Sequence, residues 1–168
     1  MLNWACEQLG DNADDLLELY CGNGNFTLPL SRRFNKVLAT EISKTSINSA
    51  FFNCERNTTN NIEFIRMSSE DFTDALNGVR EFRRLKDVAL HEYDINTVLV
   101  DPPRAGLDDS TLALISRYSR IIYISCNPET LVNNLSALQA DFKIEKLAFF
   151  DQFPYTHHIE SGVVLRRC

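Results

Sequence analysis

The sequence predicts an α/β fold: a doubly wound, mostly parallel sheet of seven strands that closes with an antiparallel hairpin. Two observations indicate it. Short aliphatic and β-branched runs alternate five times with helical segments, the pattern of parallel strands joined by crossover helices. The last two runs, residues 143–150 and 162–167, are joined by a segment without the length for a helix, so they should pair antiparallel.

The first half of the chain supplies three strands and their helices. Apolar positions on one face predict a helix over residues 1–9, and a polar turn follows at 11–15. Ser43 is the predicted N-cap of a helix that runs to about residue 57. Ser68, with Asp71 three residues on, resembles a capping box. The predicted strands are 16–20, 36–41 and 61–66, and the first leads through a glycine-rich segment into a helix that ends near residue 34.

The second half begins with an atypical stretch. Residues 77–93 carry seven charged side chains and no apolar period, which predicts an inserted loop with one helical turn. A strand at 95–100 follows, and Asp108 caps a helix that runs to about residue 118. The strand at 120–124 then leads into a helix over 128–140, which opens on a proline.

Composition restricts the class of protein. The 168 residues, 44% hydrophobic and 24% charged, suit one domain over 1–168. We expect a cytoplasmic protein, because no apolar run spans a membrane and no signal-peptide pattern is present. Five cysteines without a CxxC pair indicate neither a disulfide framework nor a zinc site.

The net charge of −6 argues against a free-standing nucleic-acid binder. It leaves open an enzyme that acts on RNA through a local basic rim. Basic clusters lie at residues 32–33, 80–86 and 166–167. Each of them, taken singly, is interpreted as a solvated face.

A glycine-rich turn between the first strand and its helix predicts a nucleoside-cofactor site. Gly22 and Gly24 allow a ligand to approach the backbone closely. The third glycine of the nicotinamide fingerprint is replaced by Thr27, and no phosphate-loop lysine is present. Glu41 ends the second strand 19 residues after Gly22, where a carboxylate can bind ribose hydroxyls. The pattern favours an adenosine-containing ligand.

Two further segments follow strands that end at the same edge of the predicted sheet. One is Asp101-Pro102-Pro103-Arg104, whose prolines fix the backbone beside a flat ligand. The other is Ser125-Cys126-Asn127-Pro128. Cys126 would lie near a helix N-terminus, which favours its thiolate and makes it a candidate nucleophile. A buried cysteine that acts as a small hydrophobe is the alternative.

The segment 151–160 is polar, aromatic and rich in titratable groups. Its adjacent His157 and His158 suggest a metal, but neighbours along a chain point apart and no supporting ligand spacing exists, so no metal site is predicted. Glu160, beside apolar and aromatic residues, is a candidate general base with a raised pKa.

Residues 18–26, Glu41, 101–104, 125–128 and 153–160 together resemble the RNA 5-methyluridine methyltransferases, in order and over nearly the whole chain. The resemblance implies a Rossmann-like class I methyltransferase fold that uses S-adenosylmethionine. It implies Cys126 as the nucleophile and Glu160 as the base. The positions that match cofactor contacts are Tyr20, Asn25, Glu41 and Asp101, to which the glycine turn adds Gly22, and Arg104 matches a substrate contact.

The implied chemistry is addition of a thiolate to carbon 6 of uracil, which makes carbon 5 nucleophilic toward the methyl group. A base then removes the carbon-5 proton so that the cysteine can leave. The uridine must leave its stack to reach the pocket. Because unstacked bases lie on aromatic or guanidinium planes, Arg104, Phe153 and Tyr155 are predicted substrate contacts.

The resemblance is strongest to members that methylate the T-loop uridine, so the T-arm of tRNA is the expected partner. A uridine of 23S rRNA and a non-catalytic cofactor-binding fragment stay open as alternatives. A 5-methylcytidine methyltransferase would need a second cysteine where Arg104 stands. Full-length members carry an N-terminal RNA-binding portion and a glutamine-bearing cofactor segment. Neither is expected within these 168 residues, so we expect weaker RNA binding. We also expect a monomer.

Overall fold

The computed structural model describes residues 1–9 and 14–168, so the predicted turn at 11–15 falls mostly outside the described residues. Within them, seven strands form one sheet. The strands are β1 Asp15–Leu19, β2 Val37–Glu41, β3 Ile62–Arg66, β4 Ile95–Val100, β5 Arg120–Ser125, β6 Phe142–Phe150 and β7 Glu160–Arg167. The helices are α1 Leu2–Glu7, α2 Thr27–Ser31, α3 Lys44–Arg56, α4 Ser69–Leu76, α5 Asp109–Ile115 and α6 Pro128–Leu138.

The strand order is β3-β2-β1-β4-β5-β7-β6. Strands β1 to β5 are mutually parallel, and β7 runs antiparallel to both of its neighbours. The predicted doubly wound sheet with its final antiparallel hairpin is therefore confirmed. The order reverses between β1 and β4, and ligand crevices of such sheets lie outside the carboxyl ends of the strands at that point.

Apolar side chains form a layer on each face of the sheet, which is what makes the fold doubly wound. Leu17 and Leu19 face the layer that α4, α5 and α6 cover. Leu16 faces the opposite layer, which α1, α2 and α3 cover. All five residues of β1 are buried, as expected for a central strand covered on both sides.

The predicted N-caps are confirmed. The side chains of Ser43, Ser68 and Asp108 each accept a hydrogen bond from the backbone N–H three residues on, at 3.2, 3.1 and 2.9 Å. The predicted ends of three helices are too late. The helix after the glycine turn ends at Ser31 rather than near residue 34, because the Asn61 amide binds the carbonyl oxygens of Ser31 and Phe34 and the chain turns there into β2. Helices α5 and α6 end three and two residues before the predicted positions.

The inserted segment 77–93 differs from its prediction in having two 3₁₀ turns, Arg83–Leu85 and Leu90–Glu92. Its half-buried apolar residues pack against the core layer that α4, α5 and α6 cover. It leads into the start of β4, so it lies at the end of the sheet where the parallel strands begin. We call this end the amino edge and the opposite end the carboxyl edge. No helix among the described residues is long and apolar enough to cross a membrane.

Candidate active site

The chain leaves β1 through a turn that bends sharply at the carboxyl edge. Tyr20 and Gly22 have φ of 63° and 56°, and Gly24 has φ of 86°. This region is easily accessible only to glycine, so Tyr20 is strained. Its hydroxyl lies 2.5 Å from Ser69 Oγ, which anchors the side chain to the start of α4. A Cβ on Gly24 would come within 2.5 Å of Leu28 Cδ1, so the turn packs tightly on α2.

Glu41 is held in a fixed orientation at the end of β2. Its carboxylate accepts hydrogen bonds from the backbone N–H of Gly22 at 3.2 Å and of Ser43 at 2.7 Å. One bond ties it to the glycine turn and the other to the cap of α3. The side chain stays partly exposed, so it remains available to a ligand.

A cavity of about 720 Å³ opens beside these residues, outside the ends of β1, β2 and β4. Tyr20, Glu41 and Asp101 all line it, so the structure brings these three predicted cofactor residues together. The cavity combines carboxylates with apolar walls. The apolar wall consists of Ile42, Met67, Pro103, Ala105 and Leu107.

Two predicted cofactor residues lie outside this lining. Gly22 contacts the cavity indirectly, through its hydrogen bond to Glu41. Asn25 is exposed and lines two neighbouring cavities of about 490 and 470 Å³ on the α1 and α2 side of the turn. The structure therefore does not bring Asn25 to the cavity that Tyr20, Glu41 and Asp101 share.

Cys126 sits directly after β5 in a rigid loop. Ser125 Oγ donates to the Asn127 carbonyl at 3.0 Å and accepts from the Asn127 N–H at 3.1 Å. The Asn127 amide donates to the Arg104 carbonyl at 3.0 Å, which ties the cysteine loop to the Asp101–Arg104 turn. Both predicted segments therefore form one unit at the carboxyl edge.

The expectation that the helix N-terminus favours the Cys126 thiolate is wrong for the free protein. Partial burial raises the pKa of Cys126, and the negative charges of Glu160 and Asp101 raise it further. The Arg104 guanidinium lowers it, but by less. In the free protein, the loss of solvation and the two nearby carboxylates therefore disfavour the thiolate of Cys126.

Glu160 reaches Cys126 through strand register. Ser125 pairs with Ser161 across the antiparallel β5 and β7, so the next position on each strand places Cys126 opposite Glu160. Glu160 is the first residue of β7 rather than part of the preceding loop. Burial raises its pKa, and His158 partly offsets this.

Asp101 completes a group of three titratable side chains. Burial, followed by the charge of Glu160, raises the pKa of Asp101 to about 6. The same two carboxylates raise the pKa of Cys126. The three groups are therefore close enough for the charge of one to alter the protonation of the others.

The predicted substrate contacts surround this group at the surface. Arg104 is exposed beside the cysteine loop. Phe153 is half exposed and packs edge-on against His158, with ring centroids 6.1 Å apart. Tyr155 is fully exposed, and its backbone φ is 69°. All residues from 151 to 159 are exposed, so the roles of Phe153 and Tyr155 stay predictions.

Glu18 was missed by the sequence reasoning. It is the fourth of the five residues of β1, with 1% of its surface exposed, and burial raises its pKa to about 8. The Thr27 hydroxyl is near enough to lower that pKa but forms no geometrically sound hydrogen bond. The Oε2 atom of Glu18 has no hydrogen-bond partner among the described residues. The available signal was an acid between leucines, three residues before the Cys21-Gly22 turn.

No group of three or more metal-ligating side chains occurs within residues 1–9 and 14–168. His157 and His158 are both exposed in the loop before β7. Their neighbourhood gives no reason to assign a metal.

Comparison with known proteins gives consistent matches. The sequence model of the family described as tRNA (Uracil-5-)-methyltransferase matches residues 1–168. A tRNA/tmRNA (uracil-C(5))-methyltransferase of Saccharophagus degradans is 63% identical over 167 residues, covering 99% of the chain and 46% of the relative. One from Pseudomonas putida is 60% identical with the same coverage. The chain spans about half the length of the curated relatives it matches.

Solved structures agree with the fold. The Pyrococcus abyssi tRNA (uracil-54, C5)-methyltransferase in complex with S-adenosyl-L-homocysteine superposes with a TM-score of 0.76 at 28% identity, covering 98% of the chain and 36% of that protein. An rRNA methylase from Streptococcus thermophilus, 17% identical, superposes with a TM-score of 0.68 over 99% of the chain and 93% of that protein. The second likeness concerns the fold alone.

Proposed function

Because the chain belongs to the tRNA (uracil-5-)-methyltransferase family, we propose that it transfers a methyl group from S-adenosylmethionine to carbon 5 of a uridine in RNA. The T-loop uridine of tRNA is the proposed target. One observation carries the proposal: Cys126 and Glu160 directly adjoin the Ser125–Ser161 pair of the β5–β7 register, and the charges of Glu160 and the cavity residue Asp101 both reach Cys126.

The residues around the cavity fit S-adenosylmethionine. Its volume of about 720 Å³ suits a nucleoside with an amino-acid tail. The fixed carboxylate of Glu41 would bind the ribose hydroxyls, and the apolar wall would contact the adenine. Asp101 and Tyr20 would face the remainder of the molecule. When bound, the sulfonium would supply an electrophilic methyl group to carbon 5 of the uracil.

Cys126 would act first. The raised pKa means that the thiol must lose its proton to water before it attacks, and Arg104 favours this loss. The thiolate then forms a bond to carbon 6 of the uracil, and the electron pair of the 5,6 double bond moves toward carbon 5 and the adjacent carbonyl. Carbon 5 thereby becomes able to accept the methyl group.

Glu160 would act second. After methylation, carbon 5 carries both the methyl group and a proton. The Glu160 carboxylate takes this proton, the 5,6 double bond reforms, and the bond between sulfur and carbon 6 breaks. Since Glu160 lies opposite the cysteine, one side chain forms the adduct and its neighbour across the ladder releases it. A positioned general base of this kind contributes roughly 100- to 10,000-fold in rate.

Arg104, Phe153 and Tyr155 would hold the uridine after it leaves its stack. Their exposure at the rim of the carboxyl edge supports this role, because a flipped base needs flat surfaces at the entrance to the pocket.

The remaining proposals concern the whole chain: residues 1–168 form one catalytic domain that acts as a cytoplasmic monomer. The single sheet and its two apolar layers support the first of these.

The test is intact mass spectrometry after mixing the chain with 5-fluorouridine T-arm RNA and S-adenosylmethionine. Fluorine at carbon 5 cannot leave as a proton, so a methylated adduct on Cys126 should accumulate. Cys126→Ala should form no adduct while it still binds the cofactor. Cys168→Ala, which removes an exposed cysteine, is the matched control and should retain the adduct. An adduct that persists in Cys126→Ala would refute the nucleophile.

A further inference from the structure

The proposed catalytic edge is poorly suited to hold a polyanion. The cavity and its surroundings carry the acids Glu41, Glu70, Asp101, Asp108 and Glu160. Affinity for RNA rests largely on neutralising phosphates with lysine and arginine. The RNA in the proposed reaction therefore needs cationic contacts elsewhere on the chain.

The densest group of cations lies at the amino edge, in the segment that we call the basic turn, residues 80–86. Four of its seven residues are Arg80, Arg83, Arg84 and Lys86, and one is the acid Glu81. All four cations are exposed. A local excess of three positive charges in a chain of net charge −6 marks this turn as a separate electrostatic feature.

The basic turn is anchored by apolar side chains. Phe82 and Leu85 are half-buried and pack against the core cluster below α4. The Leu85 N–H donates to the Phe82 carbonyl at 3.0 Å, which closes the 3₁₀ turn. The guanidinium of Arg80 lies 4.8 Å above the Phe82 ring. Because these contacts hold the backbone of the turn, the ligand would need to order only the cationic side chains and not the segment that carries them.

A cavity of about 600 Å³ lies within this turn. It joins cationic side chains to an apolar floor, a combination that suits a phosphate next to the flat face of a sugar or base. The proposed reaction uses none of these residues. The residues that line it include Arg80, Arg83 and Lys86, with Phe82, Leu85 and Leu90 as the floor.

Resting on the proposed RNA methyltransferase function, we propose that the basic turn binds the phosphate backbone of the same RNA whose uridine enters the pocket at Cys126. The two sites lie at opposite edges of the sheet. Along the strand direction alone, strands of five or six residues separate them by about 17–20 Å at roughly 3.3 Å per residue. Contacts at the turn would position the RNA, whereas the carboxyl edge would recognise the base.

The test measures binding of a fluorescently labelled T-arm RNA by anisotropy across a salt series. Arg83→Ala/Arg84→Ala should bind roughly tenfold more weakly, and the slope of log affinity against log salt should fall by about 1 to 2. Arg83→Lys/Arg84→Lys should retain most of the binding, because a lysine also neutralises a phosphate.

The matched control is Arg166→Ala/Arg167→Ala, which removes the same charge from the same edge of the sheet. Those side chains are engaged within the fold, Arg166 with Glu145 at 3.4 Å and Arg167 over the Phe142 ring at 5.0 Å. This variant should bind RNA like the unaltered chain. Circular dichroism and S-adenosylmethionine binding establish that each variant is folded.

Each outcome has a definite meaning. Loss of RNA binding only in Arg83→Ala/Arg84→Ala supports the proposal. Equal losses in both double variants overturn it, because net charge alone would then explain binding. Unchanged binding in Arg83→Ala/Arg84→Ala, or no binding by the unaltered chain, also overturns it. A missing Cys126 adduct with intact, Arg83-dependent RNA binding would refute the proposed reaction and leave this surface standing.

Discussion

Replacing Glu18 with glutamine should stabilise the protein at high pH and not at low pH. Glu18 is buried in β1, and burial raises its pKa from 4.5 to about 8. The folded protein therefore keeps this proton over a pH range in which the unfolded chain has released it. Because the folded-state pKa is the higher one, its stability contribution is complete below pH 4.5 and is lost as pH rises through about 8.

The magnitude follows from the shift. At about 1.4 kcal/mol per pKa unit, the displacement from 4.5 to about 8 amounts to at most about 5 kcal/mol. Glutamine is neutral at every pH and so removes this cost. It also buries an amide where Oε2 now has no partner among the described residues, which costs about 1–3 kcal/mol. The net gain at pH 8.5 should be about 2–4 kcal/mol, with no gain at pH 5.

The assay is urea unfolding followed by the fluorescence of Trp4, the single tryptophan, at several pH values between 5 and 8.5. The unaltered chain should lose stability across this range faster than Glu18→Gln does. Glu63→Gln, at an exposed position of β3, is the control and should match the unaltered chain. A difference between Glu18→Gln and the unaltered chain that is independent of pH would refute a protonated buried carboxyl.

Two further predictions concern the site and its support. Glu160→Gln should lower the pKa of Cys126, because the negative charge of Glu160 raises it. Iodoacetamide should therefore alkylate Cys126 at lower pH, while methyl transfer slows roughly 100- to 10,000-fold. An unchanged pH profile of alkylation would contradict the coupling between the two groups. Asn134→Ala should destabilise the fold by about 2–4 kcal/mol in denaturant unfolding, because the Asn134 amide binds the N–H and carbonyl of Leu107 and the Tyr123 hydroxyl. The control is Asn133→Ala, at an exposed position of the same helix. Equal stability of the two variants would contradict the prediction.

Much of the fold was predictable because local patterns and long-range packing agree. The caps Ser43 and Asp108 precede helices whose starts match the prediction. The five alternations of strand and helix, with a closing hairpin, permit few topologies other than the observed one. The predicted resemblance to RNA 5-methyluridine methyltransferases is confirmed by the family match over residues 1–168.

The site was predictable as a set of positions at one edge but not in its electrostatics. The sequence placed Cys126 near a helix N-terminus, yet it could not show that Glu160 lies opposite and raises the thiol pKa. That result depends on the register between strands far apart in sequence. Asn25 illustrates another limit, because a match to a cofactor position does not fix the side of a turn on which a side chain lies.

Glu18 shows a third limit. Strand patterns identify buried positions by apolar residues, so a single acid within such a run is interpreted as an interruption. Only the packing of both faces of β1 shows that this carboxyl is inaccessible to water.

The position of β7 between β5 and β6 governs the order in which the site is completed. Every residue that lines the large cavity precedes residue 109, and the proposed nucleophile, Cys126, comes later in the chain. Glu160, the proposed base, belongs to a strand that must enter the sheet after β6 has been synthesised. During translation, therefore, the segments that line this cavity and the segment that carries Cys126 are made before the strand that carries Glu160. Insertion of β7 between β5 and β6 is therefore the folding step that brings Glu160 to the carboxyl edge beside Cys126.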